Sequence, residues 1–89
     1  MALRLEPYSV KAPNNMGIAL VQVGRVDEAA GYFGDAVRID SSSVEAHFNL
    51  GVALERMGRR EEAIRQFEIV LRLKPDSDVA RVWLEKLGR

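Results

Sequence analysis

Few residues in this chain could do chemistry, and each has a plainer use. Imidazole is the side chain that ordinarily changes charge near neutrality, and it occurs once, at His47. Acid–base or metal chemistry there would need a second group converging on the ring. No motif places one, so His47 is expected as a half-buried packing ring. The run Ser41-Ser42-Ser43 offers hydroxyls, yet no nucleophile elbow surrounds it, and serine before a helix acts as a cap. Arg56, Arg59 and Arg60 make a basic corner interleaved with Glu55, Glu61 and Glu62, the composition of a solvated turn. The glycines lack both the G-x-G-x-x-G spacing and the following Lys-Ser or Lys-Thr of a phosphate cradle. With no cysteine in the chain, disulfides, thiolate nucleophiles, iron–sulfur clusters and thiolate zinc sites are all excluded. The expectation is a protein that is not an enzyme, with no catalytic, cofactor-binding or metal-binding residue.

Charge points the same way. The 89 residues carry 13 Lys and Arg against 13 Asp and Glu, a net charge of zero. Nucleic acid and anionic membranes require a basic excess to neutralise phosphates, so neither is an expected partner. No run of about 18 apolar residues occurs, and the opening MALRLEPYS lacks an apolar leader core. A soluble chain is expected, cytoplasmic by default.

The elements that position these side chains are written as a repeat. Shifted by 34 residues, the sequence falls on itself: Val10–Ser43 aligns with Val44–Ser77 without a gap. Ala12/Ala46, Asn15/Asn49, Gly17/Gly51, Ala19/Ala53, Leu20/Leu54, Gly24/Gly58, Ala29/Ala63 and Phe33/Phe67 are among the identical pairs. Apolar positions follow the helical period twice in each unit. The pattern breaks at Gly24 and Gly58, the residue type that ends a helix in left-handed backbone. Antiparallel helix pairs are predicted near Lys11–Val23 with Val26–Ile39, and Val44–Met57 with Arg60–Leu73. Ser42 followed by Glu45 has capping-box spacing, and Lys74-Pro75 stops the fourth helix. No strand pattern competes. Pro7 precedes Pro75 by two periods, so residues 1–9 read as the tail of a truncated preceding repeat, 10–43 and 44–77 as full repeats. Ala80, Trp83, Leu84 and Leu87 share one helical face, which makes 78–89 a capping helix or partial repeat.

Gly17, Ala19, Gly51 and Ala53 sit in helix interiors, where glycine costs about 1 kcal/mol relative to alanine, so close helix approach is the expected compensation. Ala29 and Ala63 should face them, with Phe33 and Phe67 filling the space between units. Gly31 and Gly34 replace what are Arg65 and Glu68 in the second unit. They should weaken the second helix by about 2 kcal/mol and make it the softest.

These residues resemble the tetratricopeptide repeat, whose signature runs W-x2-L-G-x2-Y, then A-x3-F, then P. The second unit supplies His47, Leu50-Gly51, Leu54, Ala63, Phe67 and Pro75 at those spacings; the first supplies Pro13, Met16-Gly17, Leu20, Ala29, Phe33 and Ser41. Pro13 and His47 depart from the Trp, and Ser41 from the Pro. The resemblance implies an all-α solenoid, a right-handed superhelix of antiparallel helix pairs, with the first helix of each pair lining a concave groove. It places that lining at Lys11, Asn14, Ile18, Val21 and Gln22; at Glu45, Phe48, Asn49, Val52, Glu55 and Arg56; and at Val79, Val82 and Lys86. Phe48 is expected as an exposed aromatic anchor dominating affinity. The family's clamp for chaperone C-terminal carboxylates uses the position of Asn15 and Asn49. Its usual Lys and Asn partners are Asn14 and Ile18 here, so a full clamp is not expected, and Asn at this position is expected to support the helix-turn backbone.

Two function classes follow. The leading one is a non-catalytic module binding a protein or peptide segment in the groove, within a larger assembly. The alternative is a structural repeat that forms a homo-oligomer through the uncovered N-terminal edge.

Overall fold

Glycine ends the first helix of each pair. In the computed structural model, which describes residues 11–88, the chain forms α1 (Lys11–Gln22), α2 (Val26–Ile39), α3 (Val44–Arg56), α4 (Arg60–Leu73) and α5 (Asp78–Lys86). The proposed tail at 1–9 lies outside the described residues. Among the described residues there is no strand, and the fold is an all-α solenoid: α1 packs on α2, α2 on α3, α3 on α4 and α4 on α5. The extents, 46 × 28 × 17 Å, are those of a short rod.

Two helices stop one residue earlier than the periodicity predicts, at Gln22 and Arg56. The cause is the same closing motif in both. Gly24 and Gly58 adopt φ of 85° and 80°, which lets Arg25 N–H reach Leu20 O at 2.8 Å and Arg59 N–H reach Leu54 O at 2.9 Å. Gly24 and Gly58 N–H donate to Val21 and Glu55 carbonyls, each at 3.0 Å, so the paired bonds use up carbonyls the helix end leaves open.

The expected cap at Ser42 is corrected by one residue. Ser43 Oγ accepts from Ala46 N–H at 3.2 Å, and Ser77 Oγ accepts from Ala80 N–H at 3.2 Å. The two capping serines are 34 residues apart, so the cap belongs to the repeat. Ser42 instead turns back on the end of α2: its N–H and hydroxyl donate to Asp40 Oδ1 at 3.0 and 2.7 Å.

Packing explains the small residues. A Cβ on Gly17 would stand 2.5 Å from Phe33 Cε1, and one on Gly51 would stand 2.9 Å from Phe67 Cζ. Each phenylalanine thus packs first within its own unit, over the glycine, and then reaches the next one. Phe33 clusters with Ala29 and Ala53, Phe67 with Ala63, Leu54 and Leu84. The expectation for Ala19 fails: Ala53 is fully buried, whereas Ala19 is exposed. α3 has α2 against it; the corresponding side of α1 carries Ala19 on an open edge.

Candidate functional site

The residues expected to line the groove fall on α1, α3 and α5. Ile18, Val21, Gln22, Phe48, Asn49 and Val52 converge, with Phe33 behind them, on a cavity of about 210 Å3 between α1 and α3. Glu45, Phe48 and Val79 meet Val44, Val70, Lys74 and Ser77 around a second, of about 360 Å3. Val79, Val82 and Lys86 border a third, of about 280 Å3, with Asp78 and Trp83. Phe48 is shared by the first two and Val79 by the last two, so three depressions form one largely apolar face.

Other expected positions lie elsewhere. Asn14 is buried at 4% exposure, and its Oδ1 accepts from Asn49 Nδ2 at 3.2 Å. This bond ties α1 to α3, in place of the helix-turn role expected of Asn49. Asn15 is exposed on α1. Glu55 and Arg56 occupy the last turn of α3 and border none of the three cavities. Lys11 is the first residue of α1.

Phe48 is not the free aromatic expected. It is half-buried, and its ring meets Phe67 edge-on, centroids 5.6 Å apart at 65°. Phe67 stacks on Trp83 at 5.3 Å and 10°, and Lys86 Nζ sits 5.0 Å from the Trp83 ring centroid. An aromatic run therefore crosses α3, α4 and α5, with a cation on its outer end. Trp83 lies 34 residues beyond Asn49, so carrying the groove positions one further period would have found it. Val44, Val70, Lys74 and Ser77 were also missed; they belong to α4 and to helix ends.

His47 is buried, at 6% exposure, beyond the half-burial expected. Its Nε2 lies 2.8 Å from the Ser41 carbonyl and its Nδ1 2.7 Å from the Gln66 side-chain amide. A carbonyl can only accept, so Nε2 donates to Ser41 O. The ring pins the loop between units to α4. Nearby, the Ser42 hydroxyl and then its backbone N–H hold the Asp40 carboxyl below the ordinary aspartate range, with the positive field of His47 a smaller contribution. In the basic corner, Arg59 and Arg60 are paired locally: Arg59 Nε lies 3.1 Å from Glu62 and Arg60 Nη1 3.1 Å from Glu61. No group of three or more His, Cys, Asp or Glu among the described residues could hold a metal ion. No helix there is long and apolar enough to cross a membrane.

Repeated helix pairs with a shared lateral face define a solenoid of the kind that binds other polypeptides. The family model of the tetratricopeptide repeat matches residues 14–78, and the chain belongs to that family. No curated protein matches it in sequence. Among solved structures, it is similar to the first repeat domain of Spaghetti (RPAP3) bound to the HSP90 peptide SRMEEVD: TM-score 0.89, 28% identity, 92% of this chain and 65% of that one. It is also similar to the second such domain of human RPAP3 in complex with the HSP70 peptide SGPTIEEVD: TM-score 0.87, 28% identity, 93% of this chain and 69% of that one. A mutant of MamA matches with TM-score 0.79 and 32% identity over 90% of this chain and 61% of that one. The chain thus spans about two thirds of these neighbours.

Proposed function

We propose that this is a non-catalytic protein-interaction module whose α1–α3–α5 face holds an apolar or amphipathic segment of a partner protein. The observation that carries the reading is the sharing of Phe48 and Val79 between adjacent apolar depressions, which gives one continuous strip for an extended or helical segment. The peptide-bound RPAP3 domains support a peptide as the class of ligand. Their peptides are acidic near the end, whereas here Glu45 stands beside the middle depression and an N–H of Asn49, a donor that a carboxylate could use, is spent on Asn14 Oδ1. Glu45 and Lys74 line that depression with opposite charges, so it offers no net pull on an acidic tail, and the apolar strip selects apolar side chains instead.

Panning a random peptide library on the full chain tests this. Enriched sequences should be rich in Leu, Ile, Val and aromatic residues, and Val79→Glu should weaken them by at least about tenfold, since it puts a charge on an apolar contact. Acidic C-terminal motifs, or unchanged affinity in a folded Val79→Glu variant, would overturn the reading.

A further inference from the structure

We propose that the partner segment held on the α1–α3–α5 face carries two unequal apolar anchors astride Phe48, and that a Lys or Arg beside the larger anchor pairs with Glu45. The proposal rests on the reading of that face given above and names the chemistry of its ligand. Phe48 lines both the depression of about 210 Å3 between α1 and α3 and the one of about 360 Å3 that also takes in Val44, Val70 and Val79. One ring therefore stands as the partition between a smaller and a larger site.

The partition is held from behind. Phe67 meets the Phe48 ring edge-on and is itself fully buried, so the ring has little room to yield and the two sites keep their sizes. The wall of the smaller one is tied as well, since Asn49 is bonded to the buried Asn14. A branched aliphatic side chain suits the smaller depression, and an aromatic or methionine side chain the larger.

Charge separates the two sites further. No charged side chain lines the smaller depression, where the polar groups are the side-chain amides of Gln22 and Asn49. Glu45 and Lys74 both border the larger one, but they are not equally available. Lys74 Nζ already lies 3.5 Å from Asp76 Oδ1, whereas Glu45 enters no ion pair among the described residues. Lys86 lines the next depression along, its Nζ set over the Trp83 ring. The charge left to a ligand at the larger site is thus a carboxylate, and its complement is a base. Glu45 also lies in the first turn of α3, where a carboxylate favours the helix, so the test must separate the two roles.

Panning a random peptide library on the full chain and on its Glu45→Gln variant, with the helicity of both checked by circular dichroism, makes that separation. Among apolar peptides that Val79→Glu weakens, the parent chain should enrich Lys or Arg next to an aromatic or methionine residue, and Glu45→Gln should not. Replacing that base by Ala should raise Kd about threefold on the parent chain, the scale of an exposed ion pair, and leave it unchanged on the variant. Exchanging the two anchors around an unmoved base should weaken binding at least as much. An equal basic preference in both selections, an acidic residue beside the larger anchor, or anchors that exchange without loss would overturn the proposal while leaving the apolar strip standing. Enrichment of no apolar peptide would instead refute the strip, and this proposal with it.

Discussion

The same substitution, glycine to alanine, should have opposite signs in adjacent helices. In the middle of a helix, glycine costs about 1 kcal/mol relative to alanine, so the change is favourable wherever the new methyl has room. At Gly31 an added Cβ meets nothing within 4 Å, and at Gly34 it meets only Arg38 Nη1 at 3.9 Å. Both should stabilise, by about 1 kcal/mol each, or ~4–8 °C in Tm per kcal/mol for a domain of this size. At Gly17 the methyl would stand 2.5 Å from Phe33 Cε1 and 2.8 Å from two further ring carbons. The ring is 2% exposed and clustered with Ala29 and Ala53, so it cannot swing aside without moving α3. Overpacking of this kind costs about 1–3 kcal/mol, enough to cancel the helix gain and leave a net loss. Urea and thermal melts followed by far-ultraviolet circular dichroism measure the three variants. Hydrogen exchange should show α2 amides faster than those of α4 in the parent chain, and slowed in the Gly31→Ala/Gly34→Ala double variant. A stabilised Gly17→Ala, or a destabilised Gly31→Ala, would refute the reasoning.

Two further outcomes follow from the caps. Ser43→Ala and Ser77→Ala should each cost about 1 kcal/mol in denaturant melts, whereas Ser42→Ala should leave the α3 cap intact, reversing the order the capping-box spacing suggests. Asp40 should titrate below the ordinary aspartate range when its carboxyl is followed by NMR, and Ser42→Ala should raise the midpoint. Because the folded value is the depressed one, the small stabilisation is complete above the unfolded value and disappears as pH falls through the folded value. An Asp40 midpoint unmoved by Ser42→Ala would remove the hydroxyl as the cause.

The residues that fixed helix ends were legible because their reasons are local. Gly24 and Gly58 are needed for positive φ wherever such a helix stops, and the reading missed the boundary only by one residue at each. Ser42 misled because it alone has a glutamate three residues on, Glu45, whereas the serine that caps, Ser43, has Ala46 there. Only the 34-residue partner of Ser43, Ser77, separates them. Ala19 and Ala53 are the same residue at the same repeat position and have opposite burial, since what covers them is a helix and not a side chain of their own. Asn14 looked like lining because its position faces the groove in the pattern; its bond to Asn49 joins residues 35 apart in sequence, a contact no local spacing encodes. The partial burial of Phe48 has the same non-local cause, its ring packing against Phe67 of the neighbouring helix.

Trp83 is the chain's single tryptophan, and it stacks on the ring that Phe48 touches. The array therefore carries its own optical gauge: indole emission, with no label attached, reads both the seating of the last helix and events on the strip beside Phe48. A ligand settling on that strip alters the indole's surroundings, directly where it fills the depression that Trp83 borders and through the Phe67 ring where it rests on Phe48.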